Sequence, residues 1–245
     1  MERVLAAWER CSDMDPRRRT ARVAGLWYLA MALSGAIGIM LVPSQILVPD
    51  QPAATAANIA GHELLLRLGI VSSLVCQVCF LFLVLALNRL FAGVHDGHAK
   101  LMVSLVIAAA PIAIVNELFH VAALVLGTGA VRAGSLAAAE RDALALVFLE
   151  VRQTGIAIAG VFWGLWLFPF GLLVIRSGFI PKVLGGLLIA GGFSYLIDSC
   201  FVLLAPQHRD AVSAILMLPL AVGELAMISW LLIKGVRVRE AARVA

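Results

Sequence analysis

Residues 101–126, LMVSLVIAAAPIAIVNELFHVAALVL, form one continuous apolar run that is interrupted by few polar side chains. About 20 apolar residues are enough for an α-helix to cross the hydrocarbon core of a bilayer. The run therefore predicts a membrane-spanning helix. Its polar residues Asn116, Glu117 and His120 lie within two helical turns of one another, which predicts a polar group inside the membrane.

The composition of the whole chain agrees with this interpretation. Of the 245 residues, 62% are hydrophobic and 14% are charged, and the mean hydropathy is +0.99. Soluble domains are usually about half apolar and about a quarter charged. No polar stretch is long enough for a separate globular domain, so the sequence favours a polytopic membrane protein.

Six apolar runs are long enough to span a bilayer. Every backbone N–H and C=O must find its partner within its own segment in lipid, so we expect each run to be a helix. The predicted fold is an all-α bundle of six transmembrane helices, spanning 23–233 between a basic N-terminal segment, 1–22, and a basic tail, 234–245. The six predicted spans are approximately 23–42, 64–88, 101–126, 154–175, 183–204 and 212–233.

The distribution of lysine and arginine predicts the orientation. Fourteen of the 19 basic residues fall on the side of the two termini. We expect the chain to lie in the inner membrane of the cell. The positive-inside rule then places both termini in the cytoplasm. The basic ends flank membrane spans and suit anionic lipid, so the predicted partner is the lipid bilayer and not nucleic acid. The sequence is also compatible with assembly of the chain into a homo-oligomer.

Two connections on the opposite side also predict helices. The first begins at Pro52, which suits the first position of a helix. The second covers 135–152, and we expect it to lie at the membrane interface with a break near Arg152–Gly155. A single helix over 135–175 would be about 60 Å long, twice the thickness of the hydrocarbon core.

Several spans place ionisable groups at similar depth in the outer half of the membrane. Glu117 and His120 share one helix face because they are three residues apart. Acidic residues of spans five and six lie at comparable or central depth, and basic residues lie near the outer ends of spans two and four. The candidate ligand- or proton-binding residues are Arg67, Asn116, Glu117, His120, Glu150, Arg152, Asp198 and Glu224.

A charge at the bilayer centre costs about 2.5–3.5 kcal/mol. We therefore expect the acidic groups to meet in a polar cavity, with Arg67, Arg152 and His120 as counter-charges. Such a cavity favours binding or movement of a small molecule, a lipid or a proton. One alternative is a structural or accessory membrane subunit in which buried ion pairs only lock the helices together.

The other alternative is an intramembrane metal-dependent enzyme. Glu117, His120 and Asp198 would supply one imidazole and two carboxylates to a metal with an open position. Glu-x-x-His occurs once, however, whereas di-metal sites in helix bundles use it twice. The sequence contains no serine-hydrolase, phosphate-loop or zinc-protease motif, so it predicts no cofactor and leans against catalysis.

Four stretches resemble a bacterial membrane-protein family, the domain of unknown function numbered 4386. They are ARVAGLWYL (21–29), LVPDQPAATAANIAGHELLLRLGIVSSL (47–74), FWGLWLFPFGLLVIRSGFIPKVLGGLLIAGGFSYLID (162–198) and GELAMISWLLIKG (223–235). The resemblance implies a polytopic inner-membrane protein and no known reaction, so it assigns no catalytic residue. Arg67, Asp198 and Glu224 lie within the matching stretches, and Glu117 and His120 lie outside them.

Overall fold

The computed structural model describes residues 15–129 and 136–236, and every regular element in these ranges is a helix. The prediction of an all-α fold is confirmed. The predicted terminal segments are described only in part, since 1–14 and 237–245 lie outside the described ranges. The helices are α1 (Pro16–Gly35), α2 (Val42–Ile46), α3 (Pro52–Gly61), α4 (Glu63–Phe91), α5 (Asp96–Gly127), α6 (Ala138–Leu165), α7 (Leu167–Ser177), α8 (Lys182–Leu204) and α9 (Arg209–Ile233).

Five helical segments of the described chain are long and apolar enough to cross a membrane, which makes the protein a multi-pass membrane protein. A sixth apolar stretch, Leu218–Ile233, is shorter. The five segments are Pro16–Ile46, Glu63–Phe91, Asp96–Gly127, Ala138–Ser177 and Lys182–Leu204. The sixth span and the side of the termini stay predictions.

The first span extends beyond the predicted limits at both ends. Asp15 caps α1 by accepting a hydrogen bond from the Arg17 amide at 2.8 Å, and Pro16 occupies the first helical position. At the other end the chain widens into a π-helix over Ala36–Leu41 before it continues into α2. The π segment lies beside α4.

The short helix α3 begins at Pro52, as predicted, and is tied to the segment before it. The Thr55 hydroxyl both accepts from the Val48 amide and donates to the Val48 carbonyl, each at 3.1 Å. The Asn58 amide donates to the Ile46 carbonyl at 3.2 Å. Helix α3 packs on α5 and α6, where its Ile59 is fully buried.

The prediction of an interfacial helix that breaks near Arg152–Gly155 is wrong. Helix α6 runs without interruption from Ala138 to Leu165, because Gly155 keeps helical geometry and α3 packs on α6. The break comes instead at Trp166. Pro169 has no N–H to donate to the Leu165 carbonyl, so the chain restarts there as α7.

Two apolar clusters hold the bundle together. The larger cluster is aromatic, with Trp166 stacked on Phe170 at 5.2 Å and Phe91 edge-on to Phe170 at 5.9 Å. The smaller cluster lies around Ile46 and Ile59, where α3 meets α4, α5 and α6. The buried residues Glu117, His120 and Arg152 belong to neither cluster.

Candidate functional site

A fully buried arginine pairs with the glutamate of the third predicted span. Arg152 Nη2 lies 2.7 Å from Glu117 Oε1, and the second carboxylate oxygen of Glu117 lies 2.8 Å from His120 Nδ1. The exposed fractions of the three side chains are 1%, 6% and 1%. Both oxygens of the carboxylate are therefore occupied, which offsets the cost of burying it.

Neighbouring helices provide further contacts to Arg152. Its Nη2 lies 3.4 Å from the Gly38 carbonyl of the π segment and 3.5 Å from the Ser73 hydroxyl of α4. Its own backbone carbonyl accepts a hydrogen bond from the Asn116 amide of α5 at 3.0 Å. We call Asn116, Glu117, His120 and Arg152 the ion cluster. It connects four segments that pack in the centre of the bundle.

Two glycines permit these close contacts. A Cβ at Gly155 would lie 1.9 Å from the Asn116 side-chain oxygen, and a Cβ at Gly38 would lie 2.5 Å from the Ser73 amide nitrogen. Contacts below 3.0 Å are essentially never made by a real Cβ. Glycine at both positions is therefore needed for α5 and α6, and for the π segment and α4, to approach this closely.

The ion cluster does not extend to a metal site. Within the described ranges, no three His, Cys, Asp or Glu residues are placed to hold a metal ion. Asp198 does not join Glu117 and His120, because its carboxylate accepts a hydrogen bond from the Ser213 hydroxyl of α9. The geometry of the described residues gives the metal-enzyme interpretation no support.

A cavity of about 780 Å³ lies next to the ion cluster, between α1 with its π segment, α4, α6, α8 and α9. Most of its lining is apolar, which differs from the mainly polar cavity expected from the sequence. The charged and amide side chains in its lining are Gln77, Arg152, Gln153, Asp198 and Glu224. The hydroxyl groups are those of Ser44, Tyr195, Ser199 and Ser213.

The two carboxylates of the cavity differ from Glu117. Among the described side chains, none of the ion pairs involves Asp198 or Glu224. The Tyr28 side chain, with its phenol hydroxyl, lies next to Glu224. Both residues line the cavity, and Asp198 also accepts the hydrogen bond from Ser213.

Three buried polar atoms of the lining also have no hydrogen-bond partner among the described residues. They are Gln77 Oε1, Arg152 Nε and Trp163 Nε1. An unsatisfied buried polar group costs about 1–3 kcal/mol, so each of these atoms would gain from a hydrogen-bond partner. These atoms are one acceptor and two donors, and each belongs to a residue that lines the cavity.

Two predicted site residues lie elsewhere. Arg67 pairs with Glu63, one turn away on α4, at 2.7 Å, and both side chains are about half exposed. Glu150 is exposed on the outside of α6. Of the three counter-charges expected for Glu117, the structure brings Arg152 and His120 to it and leaves Arg67 at the end of its helix.

Sequence reasoning missed Gln77 and the aromatic wall of the cavity. Gln77 lies in the middle of the second span and is 3% exposed. The argument used for Asn116, an amide within an apolar run, identifies it equally well. The aromatic residues Trp163 and Tyr195 carry no such signal, because aromatic side chains are common throughout apolar spans.

Comparisons with known proteins agree with this description. An uncharacterized protein of Archaeoglobus fulgidus is 35% identical over 81 residues, which make up 33% of this chain and 46% of that protein, so the match spans less than half of the relative's length. No solved structure matches the chain. The family model described as Domain of unknown function (DUF4386) matches residues 23–235. Since this match covers most of the sequence, the chain belongs to that family.

Proposed function

We propose that this protein crosses a bacterial inner membrane six times, with both termini in the cytoplasm, and binds a small amphipathic molecule in its central cavity. The observation that carries the proposal is a cavity of about 780 Å³ with a mainly apolar lining and buried polar atoms that lack partners. Ligand sites in proteins typically measure about 300–1,000 Å³ and combine an apolar wall with a few polar groups.

Helix α9 supports the sixth span. It has 25 residues over Arg209–Ile233, so it is about 37 Å long, and it packs against α8 and α1. In this topology Asp198 and Ser213 lie in the outer half of the membrane and Glu224 lies near its centre. The cavity then extends from the outer half of the bundle to its middle.

Two glycines that flank α4, Gly61 at the end of α3 and Gly93 just after α4, provide a test of the topology. An added Cβ at Gly61 or at Gly93 meets nothing within 4 Å, so a cysteine fits at either position. In a chain whose native cysteines are replaced by serine, we expect a membrane-impermeant maleimide to label Gly61→Cys in intact cells. Gly93→Cys should react only after lysis. Labelling of Gly93→Cys in intact cells would reverse the proposed orientation.

A neutral photoactivatable alcohol, 3-azioctanol, tests ligand binding in the purified full chain. We expect light-induced adducts on cavity residues such as Met31 and Trp163, and we expect excess octanol to suppress them. Ala32 lines the cavity, so Ala32→Phe should occlude it and remove these adducts. Ala108 is exposed on α5 and lines no described pocket, which makes Ala108→Phe the matched control. Labelling that neither octanol nor Ala32→Phe reduces would contradict a binding cavity.

A structural role is the second candidate, and the ion cluster favours it. Arg152 contacts α4, α5 and the π segment from α6, so it fixes the relative positions of these segments. A protein that only braces a membrane assembly needs such a cluster and no ligand. In that case Ala32→Phe should be as functional in cells as the wild-type chain, and Arg152→Leu should not be.

A further inference from the structure

Resting on the proposed function, we infer that the cavity selects an organic cation: an amine or quaternary ammonium group attached to an apolar body. The charges of the lining carry this inference. The described lining contains two carboxylates, Asp198 and Glu224, and one guanidinium, Arg152. The guanidinium is already paired with Glu117 at 2.7 Å, so the carboxylates dominate the charge that a ligand meets.

Aromatic rings surround the same space. Phe80, Trp163, Trp166 and Tyr195 all line the cavity. Phe80 stands edge-on to Trp166 at 4.9 Å, and Trp163 stands edge-on to Tyr195 at 6.2 Å. The face of an aromatic ring attracts cations, and carboxylates combined with aromatic rings are a favourable setting for an ammonium group.

Gln77 is an independent observation that points to the same class of ligand. Its side chain is 3% exposed, it lines the cavity, and its Oε1 accepts no hydrogen bond from any described group. An N–H donor of a protonated amine would satisfy this oxygen, which a quaternary ammonium group cannot do because it has no N–H. An anionic ligand without a donor would leave it unsatisfied and would also meet the two carboxylates of the lining, which opposes its binding.

The rest of the lining determines what the cation is attached to. Met31, Ile39, Leu220 and Ile228 contribute an apolar wall that suits a hydrocarbon or aromatic body. Such a ligand has two sources: a free hydrophobic amine, or the amine headgroup of a membrane lipid. Both present the same chemistry to Glu224 and Gln77.

Two rigid ions of the same shape and opposite charge test the inference. Tetraphenylphosphonium and tetraphenylborate are titrated separately by equilibrium dialysis against the full chain in dodecyl maltoside, and the saturable part of binding is compared. We expect the cation to bind about tenfold more tightly than the anion. Equal or tighter binding of tetraphenylborate overturns the inference.

Variants identify the groups responsible. We expect Glu224→Gln to weaken binding of tetraphenylphosphonium about tenfold and to leave binding of tetraphenylborate unchanged or stronger. Asp198→Asn should act in the same direction, and it keeps the test informative if one variant does not fold. Glu150 is exposed and outside the cavity, so Glu150→Gln should change neither affinity. Wild-type affinity for the cation in both Glu224→Gln and Asp198→Asn overturns the assignment.

Adding lipids to the binding experiment distinguishes a free amine from the amine headgroup of a membrane lipid. If a lipid headgroup occupies the cavity, phosphatidylethanolamine added to the micelles should weaken binding of tetraphenylphosphonium, and phosphatidylglycerol should not. If the ligand is a free amine, neither lipid should weaken it. Saturable labelling by 3-azioctanol without binding of tetraphenylphosphonium overturns only the cation selectivity. Absence of both signals overturns the proposed function as well.

Discussion

The ion cluster and the cavity carboxylates are two neighbouring sets of charges with opposite arrangements. In the ion cluster, Glu117 contacts His120 and Arg152 with both oxygens, and the three side chains are nearly inaccessible. In the cavity, Glu224 and Asp198 have no cationic partner among the described side chains. Arg152 links the two sets, because it pairs with Glu117 in the ion cluster and also lines the cavity.

This difference separates two uses of buried charge. Removing one partner of a buried ion pair is strongly destabilising, because the other charge stays buried without compensation. Removing the charge of a buried carboxylate that has no cationic partner relieves a desolvation cost instead. The ion cluster should therefore support stability, and the cavity carboxylates should support binding at the expense of stability.

The largest effect is expected for Arg152→Leu. This change leaves Glu117 buried without its guanidinium, and we expect it to lower the free energy of unfolding by about 3–5 kcal/mol. The measurement is an SDS titration of the purified protein followed by circular dichroism. If Arg152→Leu unfolds at the wild-type SDS concentration, the ion cluster is not what holds these helices together.

The comparison is sharpest for two glutamates that receive the same substitution. We expect Glu117→Gln to cost about 3 kcal/mol, since Arg152 loses its counter-charge. Glu224→Gln should change stability by less than about 1 kcal/mol or increase it, because no ion pair is lost. Both are measured by the same SDS titration. Equal destabilisation by the two variants would remove the distinction between the two regions.

Gly155→Ala tests the backbone contact behind the ion cluster. The new Cβ would lie 1.9 Å from the Asn116 side-chain oxygen, so Asn116 must move and its hydrogen bond to the Arg152 carbonyl is lost. We expect a loss of about 2 kcal/mol. The control is Gly186→Ala on α8, where an added Cβ meets nothing within 4 Å and should be neutral or slightly stabilising.

The smallest effect is expected for Arg67→Gln. Its ion pair with Glu63 is about half exposed, and such pairs contribute about 1 kcal/mol or less. The midpoint of the SDS titration should hardly move. A loss as large as that of Arg152→Leu would mean that Arg67 takes part in the buried network in the membrane.

The sequence predicted the positions of the membrane-spanning helices better than their ends. Apolar runs mark where the chain crosses the membrane, and this is enough to place five spans. The ends depend on polar contacts such as the Asp15 cap and on packing between helices. The continuous helix α6 could not be predicted, because the limit set by membrane thickness takes no account of α3, which packs on it.

The site was predicted in part for a related reason. Depth along a helix follows from sequence, so Glu117, His120 and Arg152 could be placed at one level. Whether Arg67 or Arg152 faces Glu117 depends on how each helix is rotated about its axis, and depth alone does not determine this. The cavity itself is a property of five packed segments, and no single stretch predicts it.

Pro43 explains why a backbone carbonyl of the first span is available to Arg152. In the π segment the Val42 amide donates to the carbonyl of Ile37, five residues earlier. In that register the donor for the Gly38 carbonyl would be residue 43, and proline has no N–H. The Gly38 oxygen instead accepts from the guanidinium at 3.4 Å. The missing N–H of Pro43 thus helps to hold an arginine of another helix. Pro43 also lines the cavity, so a mutation at this position can reshape the cavity both directly and through Arg152.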